Sequence, residues 1–344
     1  MFGKKEEQYR RRKGGGILGI FQLLLSLFMF VVLGFGLYLA YRNFSGYDPL
    51  KLDPQSIIKS VVASDSAYKL VTSLLSFSPD KSLANKIPGL KKNSLTISNT
   101  PQNHGEIKFK FAVVADSHRD YQILQKALSQ AKAADVKFII GMGDFSDVGT
   151  IDELVNTKRQ FDIVNIPYYV TPGDHDLWDS RNQKKSAEGN FLQVFKTPAY
   201  QSFSYSGVRL LIFDDSDDYL GLDSVQLQWV EDQVQRVTSE KPQLFFVFAD
   251  TPLYHPSSDH VMGRVKPKLK DQADHLLSIF QKSGADEIFS ADTHFYSRYF
   301  DPVTKLKITT VGAITSDRNP QSPRFAMVDV YTDGSYNVEE VEVK

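Results

Sequence analysis

The chain has 344 residues, 42% of them hydrophobic and 24% charged, with a net charge of −1 and no cysteine. The near-neutral balance gives no basis for holding a nucleic-acid backbone, and the absence of thiols excludes disulfides and thiolate metal sites. The length suffices for one large domain with appendages.

Residues 1–13 carry a basic cluster, Lys4, Lys5, Arg10, Arg11, Arg12 and Lys13. Residues 14–41 follow without a charge, with Gln22 and Ser26 the clearly polar side chains and Tyr38 and Tyr41 near the end. At ~1.5 Å per residue this run crosses a ~30 Å hydrocarbon core with some tilt. The basic cluster before the span predicts a cytoplasmic N-terminus and an extracytoplasmic remainder. A cleaved signal peptide is the alternative. The run is long for one, and residues 36–46, GLYLAYRNFSG, contain no small-x-small cleavage site.

Residues 42–105 read as a juxtamembrane helix and a linker. Over 56–77, apolar Ile57, Ile58, Val61, Val62, Tyr68, Leu70, Val71, Leu74 and Leu75 recur at approximately helical spacing. This is a stalk helix or a self-association surface. Residues 78–105 are rich in Pro, Asn, Ser and Lys, as linkers are.

Residues 106–344 form the predicted catalytic-looking domain. An apolar strand over 109–115 ends in Asp116-Ser117-His118. Helices are predicted over 120–133, 150–164 and 223–237, each with apolar residues along one face. Further strands are predicted from 138, from 168, and over 208–213, 244–248, 287–289 and 307–311. A hairpin over 325–331 and 336–343 turns at Asp333-Gly334. Alternating strands and helices followed by an antiparallel tail argue for an α/β layered sandwich with helices outside.

The strands end in acids and imidazoles: Asp116 and His118; Gly143, Asp144 and Asp147; Gly173, Asp174, His175 and Asp176; Asp250; and Ala291, Asp292 and His294. Ligands collect at such strand ends in open α/β folds. In this order the blocks resemble the calcineurin-like metallophosphoesterases, whose pattern is D-x-H, G-D-x-x-D, G-N-H-[D/E], a His after a strand, and G-H-x-H. The resemblance implies a calcineurin-like four-layer β-sandwich flanked by helices. It also implies hydrolysis of a phosphoester by a metal-activated water between two divalent cations ~3.5–4 Å apart. By residue, it implies a first metal on Asp116, His118, Asp144 and His294, with Asp144 bridging to the second. His175 is implied as general acid or transition-state stabiliser, Asp176 as its orienting partner, and Asp147 as a residue tying down loops or a ligand.

The sequence departs from the pattern at the second metal. Where the family has Asn, His and His, this chain has Asp174, Asp250 and Asp292, and Ala291 replaces the Gly of the last block. The first site suits Mn, Fe or Zn; the acidic second site suits Mn, Mg or Ca. Five carboxylates against two divalent ions leave the site net negative before a phosphate arrives. Two readings stay open: a hydrolase with altered metal preference, or a weakened or inactive relative serving as a surface cation- or protein-binding module. Mono- or diester preference and oligomeric state are not fixed. Asp214, Asp215, Asp217 and Asp218 read as a solvated turn. His255 and His260 read as loop histidines, with reach to the second metal as the alternative. His104 and His275 carry no motif.

Overall fold

The computed structural model describes residues 105–344. The predicted basic tail, membrane span and juxtamembrane helix lie outside the described residues. Among the described residues, no helix is long and apolar enough to cross a membrane.

Two sheets carry the fold. The first alternates β1 (Ile107–Ala115), α1 (Tyr121–Ala133), β2 (Phe138–Met142), α2 (Ile151–Val164) and β3 (Tyr168–Thr171). It closes with the hairpin β10 (Arg324–Tyr331) and β11 (Tyr336–Glu342), in the order β11-β10-β1-β2-β3. The second sheet holds β4 (Gln201–Tyr205), β5 (Val208–Ile212), β6 (Leu244–Phe248), β7 (Glu287–Ser290), β8 (Ser297–Phe300) and β9 (Lys307–Thr310), in the order β4-β5-β6-β7-β9-β8. Strands β1, β2 and β3 are parallel, as are β5, β6, β7 and β9. Their C-terminal ends therefore share one edge of each sheet.

Polar caps set the helix starts. Asp120 accepts from the Ile123 amide, Thr150 and Glu153 form a reciprocal capping box, and Asp223 opens α5 (Ser224–Glu240) by accepting from Gln226. The expected helices over 120–133, 150–164 and 223–237 are present, the last running three residues further. The sequence reading does not place α6 (Leu269–Lys282), although its buried Ala273, Leu276, Leu277 and Phe280 stand at helical spacing. Nor does it place α3 (Trp178–Asn182), α4 (Gly189–Phe195), β4 or β8. The helices α3 and α4 are too short to show a period. Both strands are half-buried outer strands whose sequences, QSFSY and SRYF, mix polar and aromatic residues.

Three apolar layers separate the elements. Between the sheets, Phe111 and Phe138 stack at 5.1 Å, Phe248 and Phe289 at 5.1 Å, and Phe111 meets Phe248 edge-on. Alternate residues Ala112, Val114 and Ile139 face outward onto α1, α2 and α4. Phe245, Val247 and Ile288 do the same toward α5 and α6. Burial of both faces explains why β2 and β6 are unbroken apolar runs, FIIGM and LFFVF. One acid sits in this core. Glu287, fully buried on β7, takes a two-pronged contact from Arg298 at 2.9 and 2.6 Å and a hydroxyl from Thr309.

Candidate metal centre

The loops beyond the parallel strand ends are sewn to each other by backbone bonds. Asp116 and His118 donate to the carbonyls of Gly143 and Asp144, Gly143 donates to Thr171, and Ala291 donates to Asp250. A direct bond joins the two sheets' loops: the Asp292 amide donates to Asp116 Oδ1 at 3.2 Å. The backbone is unusually strained here. Asp116, His118, Asp144, Asp292 and His294 all have positive φ, between 38 and 59°. Each such non-glycine residue costs on the order of 1–3 kcal/mol, and clusters of this kind mark functional sites.

Two glycines allow the close approach. A Cβ on Gly143 would lie 2.2 Å from Asp250 Oδ1, and one on Gly173 would lie 2.3 Å from Asp144 Oδ1. The G-D pairs are thus a packing requirement as well as a motif.

Asp116, His118, Asp144 and His294 converge, with one ligand atom from each within 4.8 Å of all the others. Asp144 also groups with Asp174 and His175 by the same measure. His118 Nε2 lies 3.0 Å from His294 Nε2 and 3.5 Å from Asp144 Oδ2. The Arg318 carbonyl accepts from His294 Nδ1 at 3.2 Å, so the ring proton sits on Nδ1 and the Nε2 lone pair faces His118. Two imidazole nitrogens about 3 Å apart are what adjacent ligands on one cation require, given metal–nitrogen bonds of ~2.0–2.1 Å.

The electrostatics fit a cation as well. Burial, reinforced by neighbouring carboxylates, pushes Asp116, Asp144 and Asp250 well above the usual range, and Asp174 upward. Burial lowers His118 well below its ordinary value and His294 to about 4. Acids that resist ionising beside imidazoles that shed their protons are short of a positive charge. Asp116 Oδ2, His118 Nδ1 and Asp250 Oδ1 are buried and lack a hydrogen-bond partner. The residues fit divalent cations.

His175 stacks on Trp178 at 4.0 Å and meets His118 edge-on. Its Nδ1 donates to the Asp147 carbonyl at 2.6 Å. The expected pairing of Asp176 with His175 is absent. Asp176 instead accepts from the amides of Phe145, Ser146 and Gly173 and from the Ser146 hydroxyl, tying the second block to the third. Burial raises it to about 6 against those bonds. The Asp147 backbone therefore orients His175. The Asp147 side chain takes Arg119 at 3.1 Å.

Several site neighbours escape sequence reasoning. Asp214 and Asp215 are buried, not solvated. Asp215 Oδ1 accepts from the Asp250 and Thr251 amides and holds the Asp250 loop. His255 is also buried; Nδ1 accepts two amides, from Ser257 and Ser258, and burial lowers it to about 3. His260 reaches the second site through Asp292, 3.2 Å away. His275 pairs with Glu231 at 2.8 Å on α5. The run of acids after β5 was the available signal for Asp215; for His260 the sequence offered reach to the second metal only as an alternative shared with His255, and the structure places it on Asp292.

Comparison with known proteins agrees with this geometry. The calcineurin-like phosphoesterase family matches residues 109–296. A probable glycerophosphodiester phosphodiesterase, GpdQ, from Arcobacter nitrofigilis is 28% identical over 128 residues, 34% of this chain. The match spans 41% of that relative's length. Among solved structures, purple acid phosphatase PPD1 from yellow lupin (Lupinus luteus) seeds superposes with a TM-score of 0.53 at 15% identity, over 68% of this chain and 51% of that one. GAP50, described as the anchor in the inner membrane complex of Plasmodium, gives 0.52 at 14% identity, over 70% and 86%. At these identities the structural likeness is one of fold. The chain belongs to the calcineurin-like phosphoesterase family.

Proposed function

We propose that the chain is a membrane-anchored, metal-dependent phosphoester hydrolase with its site on the extracytoplasmic side. The observation that carries the chemistry is the convergence of Asp116, His118, Asp144 and His294. These would hold the first cation, Mn, Fe or Zn. Asp144 would be shared with a second position, suited to Mn, Mg or Ca, faced by Asp174 and Asp250. Divalent metal, when bound, supplies Lewis acidity and lowers the pKa of water.

His175 has the remaining role. Its Nδ1 proton is held on the Asp147 carbonyl, so Nε2 is the nitrogen left to act, and only in the imidazolium form would it carry the second proton that goes to the leaving oxygen or stabilises its charge. The stack on Trp178 and the carbonyl bond keep the ring from turning.

The anchor reading rests on the uncharged run of 14–41 behind its basic cluster. On that reading the domains run 1–13, 14–41, 42–105 and 106–344, and the substrate is met outside the cytoplasm. The likeness to a probable glycerophosphodiester phosphodiesterase makes a small phosphodiester the first substrate class to try. The test is hydrolysis of bis-p-nitrophenyl phosphate and p-nitrophenyl phosphate by metal-stripped full-length protein, with Mn²⁺, Mg²⁺, Ca²⁺, Zn²⁺ and Fe²⁺ restored singly. Turnover that Asp144→Asn abolishes supports the reading; no turnover with any ion sinks it. Protease accessibility in sealed vesicles tests the topology.

A second reading has its own observation, the three carboxylates at the second metal position. A site of that charge holds a phosphate dianion poorly, and the domain would then be a surface cation- or protein-binding module on a phosphoesterase fold. Calorimetric metal binding without turnover would favour it.

A further inference from the structure

We propose that His260 and Arg264 take Asp292 out of the second metal's donor set, so that the chain holds one divalent cation tightly and a second only weakly. This rests on the metal assignment proposed above.

The connection is directional. A guanidinium only donates, so Arg264 Nη1, 2.7 Å from His260 Nε2, makes that nitrogen an acceptor. The imidazole proton then sits on Nδ1, which lies 3.2 and 3.3 Å from the two Asp292 oxygens. Both carboxylate oxygens are drawn to one donor. The loop carrying this pair is itself fixed. Ser258 Oγ accepts from the His260 amide at 3.1 Å, and the second Arg264 nitrogen lies 3.6 Å from Asp218. His260 and Asp292 side chains are 15% and 16% exposed, so water competes weakly.

Donor geometry agrees. Among the described residues the groups whose ligand atoms converge are Asp116, His118, Asp144 and His294, and Asp144, Asp174 and His175; Asp292 and Asp250 are in neither, but Asp250 Oδ1 is left unpartnered whereas both Asp292 oxygens are engaged by His260. Arg264 also places a permanent positive charge two hydrogen bonds from Asp292. It offsets part of the acidic excess that would otherwise draw a second cation. Arg264 and His260 are positioning residues here: they act through Asp292 and make no contact with a reacting atom.

The test is titration of the metal-stripped full-length chain with Mn²⁺ alone, followed by calorimetry and by the spin-resonance signal of free Mn²⁺. No substrate is needed. The wild type is expected to bind one tight equivalent, with any second at least about tenfold weaker. His260→Gln/Arg264→Gln is expected to leave the first equivalent unchanged and tighten the second at least about tenfold. Retention of the first equivalent shows the variant is folded; if the pair fails that check, Arg264→Gln alone carries the same comparison. Arg264→Lys keeps the charge and a donor, and is expected to behave as the wild type. Two equivalents of similar affinity in the wild type, or a second affinity unmoved in the variant, would overturn the clamp alone. No tight equivalent at all would overturn the metal assignment beneath it.

Discussion

Asp144 is the carboxylate common to both groups of converging ligand atoms. It faces His118, groups with Asp174 and His175, accepts the His175 amide at 3.1 Å and lies against Gly173. Burial and the Asp174 charge raise it. Asp144→Asn is therefore expected to act in opposite directions on function and stability. It should abolish metal-dependent turnover while raising the melting temperature of the metal-free protein at neutral pH, since a buried carboxyl that burial and its acidic neighbours penalise when ionised is removed. Parallel turnover and scanning calorimetry read both. His175→Ala is expected to lower kcat by about 10²–10⁴-fold, the usual contribution of a positioned acid, while leaving metal stoichiometry intact. Asp214, which belongs to neither group of converging ligand atoms, reports on pH. Burial lifts it to about 7 despite two bonds from Ser216. A carboxyl raised on folding favours the folded state while protonated, and that contribution is lost as pH rises from about 4 to about 7, at ~1.4 kcal/mol per pH unit. Other raised carboxyls, Asp176 among them, add slope of the same sign, so denaturant titrations across this range should show a fall in stability with pH that is shallower by that amount in Asp214→Asn than in the wild type.

At the scale of elements, the turns after the strands do more than connect. Gly143 has φ +61° and no room for a methyl group. Gly143→Ala is expected to cost about 2 kcal/mol or more and to weaken metal binding, because Asp250 and the Gly173 backbone must both move. Heat-induced unfolding with and without Mn²⁺ separates the two effects. On β7 and β8 the Glu287–Arg298 pair is a different kind of constraint. Removing the guanidinium leaves a fully buried carboxylate, so Arg298→Ala is expected to destabilise by about 3–5 kcal/mol by urea titration, far more than an exposed pair such as Lys270–Asp274.

At the scale of the described domain, the loops beyond the strand ends of the two sheets are bonded to each other, and the candidate site lies where they touch. Stability and metal binding are therefore linked. Without a cation, buried acids repel across the inter-sheet seam; a bound cation favours the folded state alone. At a hundredfold excess over Kd the expected gain is ~2.7 kcal/mol, seen as a rise in melting temperature that Asp144→Asn does not show.

Much of this was legible in the chain. Apolar runs such as FIIGM and LFFVF, caps at Asp120, Thr150 and Asp223, and the acid-and-imidazole endings of successive strands determine the layered α/β fold and the family. They do so because burial pattern and capping are local chemistry, readable in order. What tertiary structure alone decided is which groups face one another. Asp176 binds amides and not His175; Asp215 supports the Asp250 loop; His260, bonded by Arg264, engages Asp292. These pairings join residues 31, 35 and 32 positions apart along different loops. No periodicity encodes them, since they arise only where two sheets bring separate strand ends to one edge.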